Sequence, residues 1–250
     1  MNKEPELKLH LYFHNDFDGV AAAAIIMNFI ESRGGKALSF NVVDYNPNLK
    51  SKWASFRFKK PFAILDFLYH PKASWWFDHH RTSFIRKDWQ DEFKSDKTHA
   101  FGPAEKSACG LLMKHLRKDF NYKLPKYIEN LAKWATIIDS VAYKSAREAV
   151  ESRQPAILIA KALGSVASRH LGAIVGELSE KEISKAAKNP IIEKETRKIA
   201  LRNRTAKRIF GSTSVLTPKV IFADGSKTKT ELPRYIGYLL YPQIDYVVIV

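Results

Sequence analysis

Cysteine is almost absent from this 250-residue chain. Cys109 stands alone, so no intrachain disulfide can form, and a reducing, cytoplasmic setting is expected. Within Lys106-Ser107-Ala108-Cys109-Gly110-Leu111-Leu112-Met113 it reads as a small buried helix residue, not a catalytic thiol. Long apolar runs are missing too. None approaches the ~20 residues that a membrane-spanning helix needs. Residues 1–6 lack the apolar stretch of a secretory signal, and no membrane partner is expected. Internal repeats and low-complexity segments are also missing. Acidic residues are in the minority: 26 Asp and Glu against 41 Lys and Arg give a net charge of +15, and the excess is denser toward the C-terminus. A basic surface favours polyanions such as nucleic acid, nucleotides or polyphosphate, although the same charge would serve solubility alone.

What is present suffices for a globular core: the hydrophobic share is 45%, and 250 residues are enough for one large domain or two ordinary ones. Short apolar runs at 7–13, 40–43, 61–65 and 73–77 read as strands. Helical patterns fall at 19–27, 103–118 (opening at Gly102-Pro103) and 125–143. Short strands alternating with helices imply an α/β architecture: a doubly wound, mostly parallel sheet. The pattern stays helical from 147 to 188, and a strongly basic helix follows at 190–210. After Gly211-Ser212 the texture changes to strands at 214–216 and 219–223, a helix at 232–240 and a last strand at 245–250. We therefore expect a catalytic domain with a helical extension at 1–188, a basic linker helix at 189–210, and a smaller α+β part at 211–250. A chain that stops in mid-strand exposes an apolar edge, so either a continuation beyond Val250 or a shortened C-terminal variant is expected.

Four short elements carry chemistry. His14-Asn15-Asp16-Phe17-Asp18-Gly19 lies between the first strand and the alanine-rich helix. Asp66 ends the strand Ala63-Ile64-Leu65. Asp78-His79-His80 follows Trp75-Trp76-Phe77, and Asp139 lies in a helix. The first three elements sit just after apolar strands, and in a parallel sheet those strand ends share one edge, where ligands bind. Carboxylates and imidazoles together suit Mn²⁺, Fe²⁺, Zn²⁺ or Mg²⁺, and carboxylate-rich sets lean toward Mn²⁺ or Mg²⁺. Six such ligands are too many for one tetrahedral zinc and about right for a pair of ions. Gly19 lets the backbone approach closely where the helix opens. The bland alternative makes Asp16 and Asp18 helix caps, Asp66 a turn residue, Asp139 a solvated position and His79 and His80 surface histidines. Each is plausible separately, but all would have to hold together.

In this order, the four elements resemble the DHH family of phosphoesterases over about residues 8–145. That family includes RecJ-like exonucleases, oligoribonuclease-type and cyclic-dinucleotide phosphodiesterases, and exopolyphosphatase and pyrophosphatase relatives. The resemblance implies one metal at His14, Asp16 and Asp66, and a second at Asp18, Asp66, His79 and Asp139, with Asp66 bridging. It implies that His80 contacts the substrate phosphate, that Asp78 orients the imidazoles, and that His80 and Arg81 add charge-assisted hydrogen bonds. The expected cofactor is a pair of Mn²⁺ ions, with Mg²⁺ or another divalent cation as substitute. The expected reaction is two-metal hydrolysis of phosphodiesters in short oligonucleotides or single-stranded nucleic-acid ends. Cyclic dinucleotides, polyphosphate or pyrophosphate, and a non-catalytic nucleic-acid-binding homologue are the alternatives; a homodimer is allowed. Residues 211–250 resemble the start of a DHHA1-type substrate-binding domain, but that domain's Gly-Gly-His element is not found.

Further candidates lie outside the four elements. Asn15 and His99 are possible substrate contacts. Trp53, Phe56, Phe58, Trp75 and Trp76 could stack bases, though aromatics so placed more often form core. Arg197, Lys198, Arg202, Arg204, Lys207 and Arg208 crowd one helix. Arg202 and Arg204 in particular either track phosphates along a groove or belong to a solvated linker. His10, His70, His115 and His170 read as core or surface histidines.

Overall fold

Apolar alternation from Leu9 to Phe13 builds β1 (Lys8–His14), and the alanine-rich stretch behind it builds α1 (Phe17–Ser32). The computed structural model describes residues 6–213, 215–226 and 232–250. β2 (Lys36–Val43) is followed by α2 (Pro47–Lys52) and a single 3₁₀ turn, then by β3 (Phe62–Leu65), β4 (Trp75–Asp78), α3 (Lys87–Glu92) and β5 (His99–Phe101). A helical half follows: α4 (Ala108–Phe120), α5 (Lys126–Asp139), α6 (Ala146–Glu151), α7 (Pro155–Leu163), α8 (Ser168–Glu180), α9 (Ile183–Ala186) and the long α10 (Pro190–Thr213). The chain ends in β6 (Val215–Leu216), β7 (Val220–Ala223), α11 (Arg234–Leu240) and β8 (Tyr246–Ile249).

The main sheet has five strands in the order β2-β1-β3-β4-β5, all parallel. Side chains alternate between its faces. Leu9, Leu11, Phe13, Leu65 and Phe77 pack into one core with α1, α4, α5 and α8. Tyr12, Phe62, Ile64 and Trp76 point the other way, into an aromatic core with Trp53, Phe67, Phe84 and Phe93. Both faces are covered, as a doubly wound sheet requires. α1 is buried over most of its surface, which explains its run of alanines: helices on several sides approach it closely.

Among the described residues, no helix is long and apolar enough to cross a membrane. The smaller sheet has the order β6-β7-β8, its first pair antiparallel and its second parallel. Ala206 and Phe210 of α10 join Ile221, Ala223 and Ile236 in its core, while Ile192 and Ile199 are buried toward the N-terminal half of α10. The basic helix is therefore a packed amphipathic element shared by both halves. It runs past the expected end at 210, to Thr213. The expected strand start at Ser214 lies outside the described residues.

Two expected helix bounds are corrected. The helix expected from 103 begins at Ala108, because Ser107 is the cap: its Oγ accepts the Gly110 amide at 2.9 Å. The helix expected to reach 143 ends at Asp139, since Val141 has a left-handed backbone (φ 54°). Trp53, Trp75 and Trp76 are buried, as aromatics so placed more often are, and are unable to stack bases. Tryptophans buried this fully are worth about 3–5 kcal/mol each relative to alanine, which identifies their role as core.

Candidate functional site

Strand register delivers the site. Phe13 pairs with Leu65, and Leu65 with Phe77. The next residues along, His14, Asp66 and Asp78, therefore stand side by side at the carboxyl edge of three adjacent strands. β2 lies on one side of β1 and β3 on the other, so this edge is also the point where strand order reverses, the preferred ligand crevice of open α/β sheets.

The first element turns sharply into α1. Asp16 caps the helix, its Oδ1 accepting the Gly19 amide at 2.9 Å. Glycine is required at 19: a Cβ there would lie 2.4 Å from the His14 carbonyl oxygen. Asp18 is buried, and its carboxylate sits on the N-terminus of α4, accepting the Ala108 amide at 2.6 Å and the Cys109 amide at 3.1 Å. Cys109 donates its thiol to the Asp18 carbonyl at 3.3 Å. Burial pushes that thiol's pKa well up, consistent with an inert structural role.

Asp66 is fully buried, with a left-handed backbone (φ 55°). An aspartate tolerates this conformation better than most residues. Neither of its carboxylate oxygens has a hydrogen-bond partner. His14 Nδ1 lies 3.5 Å from Oδ2, while His79 Nε2 and His80 Nδ1 lie 3.6 and 3.5 Å from Oδ1. His79 Nε2 also approaches Asp139 Oδ2 at 3.2 Å and Asp18 Oδ2 at 3.9 Å.

Orientation comes from the surrounding loop. Asp78 is buried; its Oδ1 lies 2.8 Å from His80 Nδ1 and accepts the His79 amide at 2.8 Å, and Ser83 donates its hydroxyl to Oδ2. The His79 ring is held instead by the Glu105 carbonyl, 3.2 Å from Nδ1, which leaves Nε2 facing the carboxylates. Asp78 thus orients the ring of His80, whereas for His79 it anchors only the backbone.

The electrostatics of the cluster favour cations. Burial and then the charges of Asp139 and Asp16 push the Asp18 carboxyl up to about 7. Burial and then Asp18 and Asp16 raise Asp66 well above the carboxylate range. Burial alone would lower the His79 pKa, but Asp139 and Asp18 raise it to about 9. Asp16 is held below its ordinary value: burial raises it, and His14 and the Gly19 amide outweigh that. Such a concentration of carboxylates calls for more positive charge than the histidines supply.

Two groups of candidate ligand atoms converge, His14 with Asp16 and Asp66, and Asp18 with His79 and Asp139; within each group the atoms lie within 4.8 Å of one another. The same distance brings Asp78 and His80 together with Asp66 and His79. Buried, unpaired oxygens on Asp66, an unpaired His79 Nε2 and a carboxylate–imidazole donor set fit a pair of divalent cations.

Other expected residues fall at varying distance from this centre. Asn15 follows His14 directly, its Oδ1 buried without a partner. Arg81, next to His80, is exposed beside Gln90, Phe101 and Pro103. His99 belongs to the scaffold: its Nε2 lies 3.1 Å from the Ala73 carbonyl and its Nδ1 2.9 Å from the Thr98 hydroxyl. This pairing ties β5 to the turn before β4 and leaves no ring nitrogen for a substrate. Arg202 lines a cavity of about 220 Å³ with Ile138, Tyr143 and Tyr235. Arg204 lines one of about 300 Å³ against α6 and α7. Lys198 pairs with Glu195 at 2.7 Å, Lys207 with Glu151 at 2.6 Å and Arg197 with Glu193 at 3.5 Å, so part of the basic stripe is neutralised internally. Sequence reasoning missed Ser83, Glu105 and Tyr45. For Tyr45 a signal existed, since it lies just past the end of β2 on the same edge.

No family model and no curated protein matches the chain. Solved structures do. The pGpG-specific phosphodiesterase PggH from Vibrio cholerae superposes with a TM-score of 0.75 at 15% identity, over 96% of this chain and 77% of that one. RecJ from Thermus thermophilus, in complex with Mn²⁺, gives a TM-score of 0.50 at 14% identity, over 97% of this chain and 43% of RecJ. At such identities the likeness speaks to architecture alone. The chain has the fold of the DHH phosphoesterases, and its own four acidic and histidine elements converge at one sheet edge.

Proposed function

We propose that this protein is a divalent-metal-dependent phosphodiesterase acting on short linear oligonucleotides. One observation carries the reading: Asp66, buried and unpaired at both oxygens, belongs to the His14 and Asp16 group and lies 3.6 Å from His79 of the other group. In this reading His14, Asp16 and Asp66 hold one cation, and Asp18, Asp66, His79 and Asp139 hold the other. Mn²⁺ and Mg²⁺ both suit these donors. When bound, the cations would supply Lewis acidity and lower the pKa of a nearby water.

The chain's own residues do the rest. Asp78 holds His80 at 2.8 Å, keeping its ring toward the phosphate, and Arg81 beside it adds charge. Asn15 offers its amide from the turn below. The C-terminal part, with Arg202 and Arg204 of α10, takes the remainder of the substrate. A short substrate is favoured because the relative with the higher TM-score, covered over 77% of its length, is a pGpG-specific enzyme.

A hydrolysis screen with Mn²⁺, with and without chelator, tests this directly. The substrates are pGpG, longer single-stranded RNA and DNA, cyclic diguanylate, pyrophosphate and polyphosphate. The expected result is metal-dependent cleavage with the highest kcat/KM on the linear dinucleotide. Activity confined to pyrophosphate and polyphosphate would overturn the substrate assignment.

A further inference from the structure

Tyr45 sits two residues beyond Val43, the β2 residue in register with His14. That position carries its ring over the carboxyl edge of the sheet and into the metal-ligand cluster. The ring meets His14 edge-on at 5.0 Å, tilts against Phe67 at 4.5 Å, and meets His80 edge-on at 5.8 Å. Contacts with three rings hold it in place.

Its hydroxyl is the anomaly. The oxygen is buried and has no hydrogen-bond partner. Other tyrosines of the protein place theirs: Tyr12 accepts the Lys59 amide at 3.1 Å, Tyr122 donates to Asn28 at 2.6 Å, and Tyr127 donates to the Ser179 carbonyl at 3.0 Å. Leaving a buried hydroxyl unpaired is costly. Phenylalanine would fill the same space and keep every ring contact without that cost. A phenol is protonated at neutral pH and presents one donor. Beside a cluster of carboxylates that would draw cations, the acceptor that arrives with those cations is the oxygen-rich phosphoryl group.

We propose that Tyr45 is a substrate-contacting residue whose hydroxyl donates a hydrogen bond to a non-bridging oxygen of the phosphoryl group under attack. The inference rests on the phosphodiesterase reading for its reaction, but on the unpaired hydroxyl for its geometry.

Tyr45→Phe tests it, because the substitution keeps the ring and removes only the donor. Three quantities are compared with the unaltered protein: kcat/KM on pGpG with Mn²⁺, calorimetric Mn²⁺ affinity, and the affinity of the Mg²⁺-loaded protein for inorganic phosphate. The expected result is a 10- to 100-fold fall in kcat/KM and at least fivefold weaker phosphate binding, with Mn²⁺ affinity within twofold. Phosphate affinity and kcat/KM both within twofold would overturn it, as would a fall in Mn²⁺ affinity that matches the loss of rate. If the unaltered protein fails to cleave pGpG, the substrate assignment falls, and phosphate affinity alone decides the role of Tyr45.

Discussion

Asp66→Asn will lower kcat/KM by at least ~10³-fold while raising the melting temperature of the metal-free protein at pH 8 by about 3–8 °C. Both effects follow from one carboxylate. Asp66 converges with His14 and Asp16, lies 3.6 Å from His79 of the other group, and has no hydrogen-bond partner for either oxygen. An asparagine keeps the size, tolerates the left-handed backbone (φ 55°) and removes the charge. Without that charge neither cation is held as before. Stability moves the other way, since a buried carboxylate among carboxylates is a burden until cations neutralise it. The sign follows from linkage. Burial and the neighbouring aspartates raise the folded-state pKa of Asp66. The native state therefore loses stability as pH rises from the unfolded value, roughly 4, toward the folded one. The gain from asparagine should thus be largest at alkaline pH and vanish near pH 4. Calorimetry of both proteins in chelator checks this; equal melting temperatures at pH 8 would show that Asp66 bears no such strain.

Mn²⁺ affinity is expected to rise at least tenfold per pH unit between pH 6 and 8, about 100-fold across the interval. His79, raised to about 9 chiefly by Asp139 and Asp18 against the opposing effect of burial, is protonated throughout that range in the metal-free protein. Its Nε2 faces the Asp18 and Asp139 carboxylates, so a cation there must displace the proton. Asp18, near 7 through burial and its acidic neighbours, gives up a second proton in part. Thermal stability follows the same sign. The raised His79 stabilises the metal-free fold below about pH 6.5, and that contribution is lost as pH rises through 9. The stabilisation conferred by Mn²⁺ therefore widens from pH 5.5 to 8. Shifted groups away from the site, such as His70 and Lys161, titrate alike with and without metal and cancel. A pH-independent affinity would mean that His79 is not a ligand.

The site was legible in the sequence because its chemistry sits where strands end. His14, Asp66 and Asp78 each close an apolar run, and parallel pairing of those runs aligns them. Asp139 was legible only through the order of the elements, since nothing local distinguishes the last residue of α5 from a solvated one. The supporting groups were not legible. The Glu105 carbonyl that holds His79 and the α4 amides that hold Asp18 are backbone atoms, which residue type does not encode. β5 spans three residues, too few for periodicity to register, and its His99 looked chemical when it is structural. In α10 the charges masked the pattern: Ile192, Ile199, Ala206 and Phe210 recur at helical spacing and are buried. That fixes one face of the helix in packing and leaves its other face to the cations.

Anomalous diffraction from crystals grown with Mn²⁺ tests the central claim most directly. We expect two peaks per chain, roughly 3.5–4 Å apart, with Asp66 between them, His14 and Asp16 on one side, and Asp18, His79 and Asp139 on the other. A single peak, no peak, or two peaks that do not share Asp66 would contradict it.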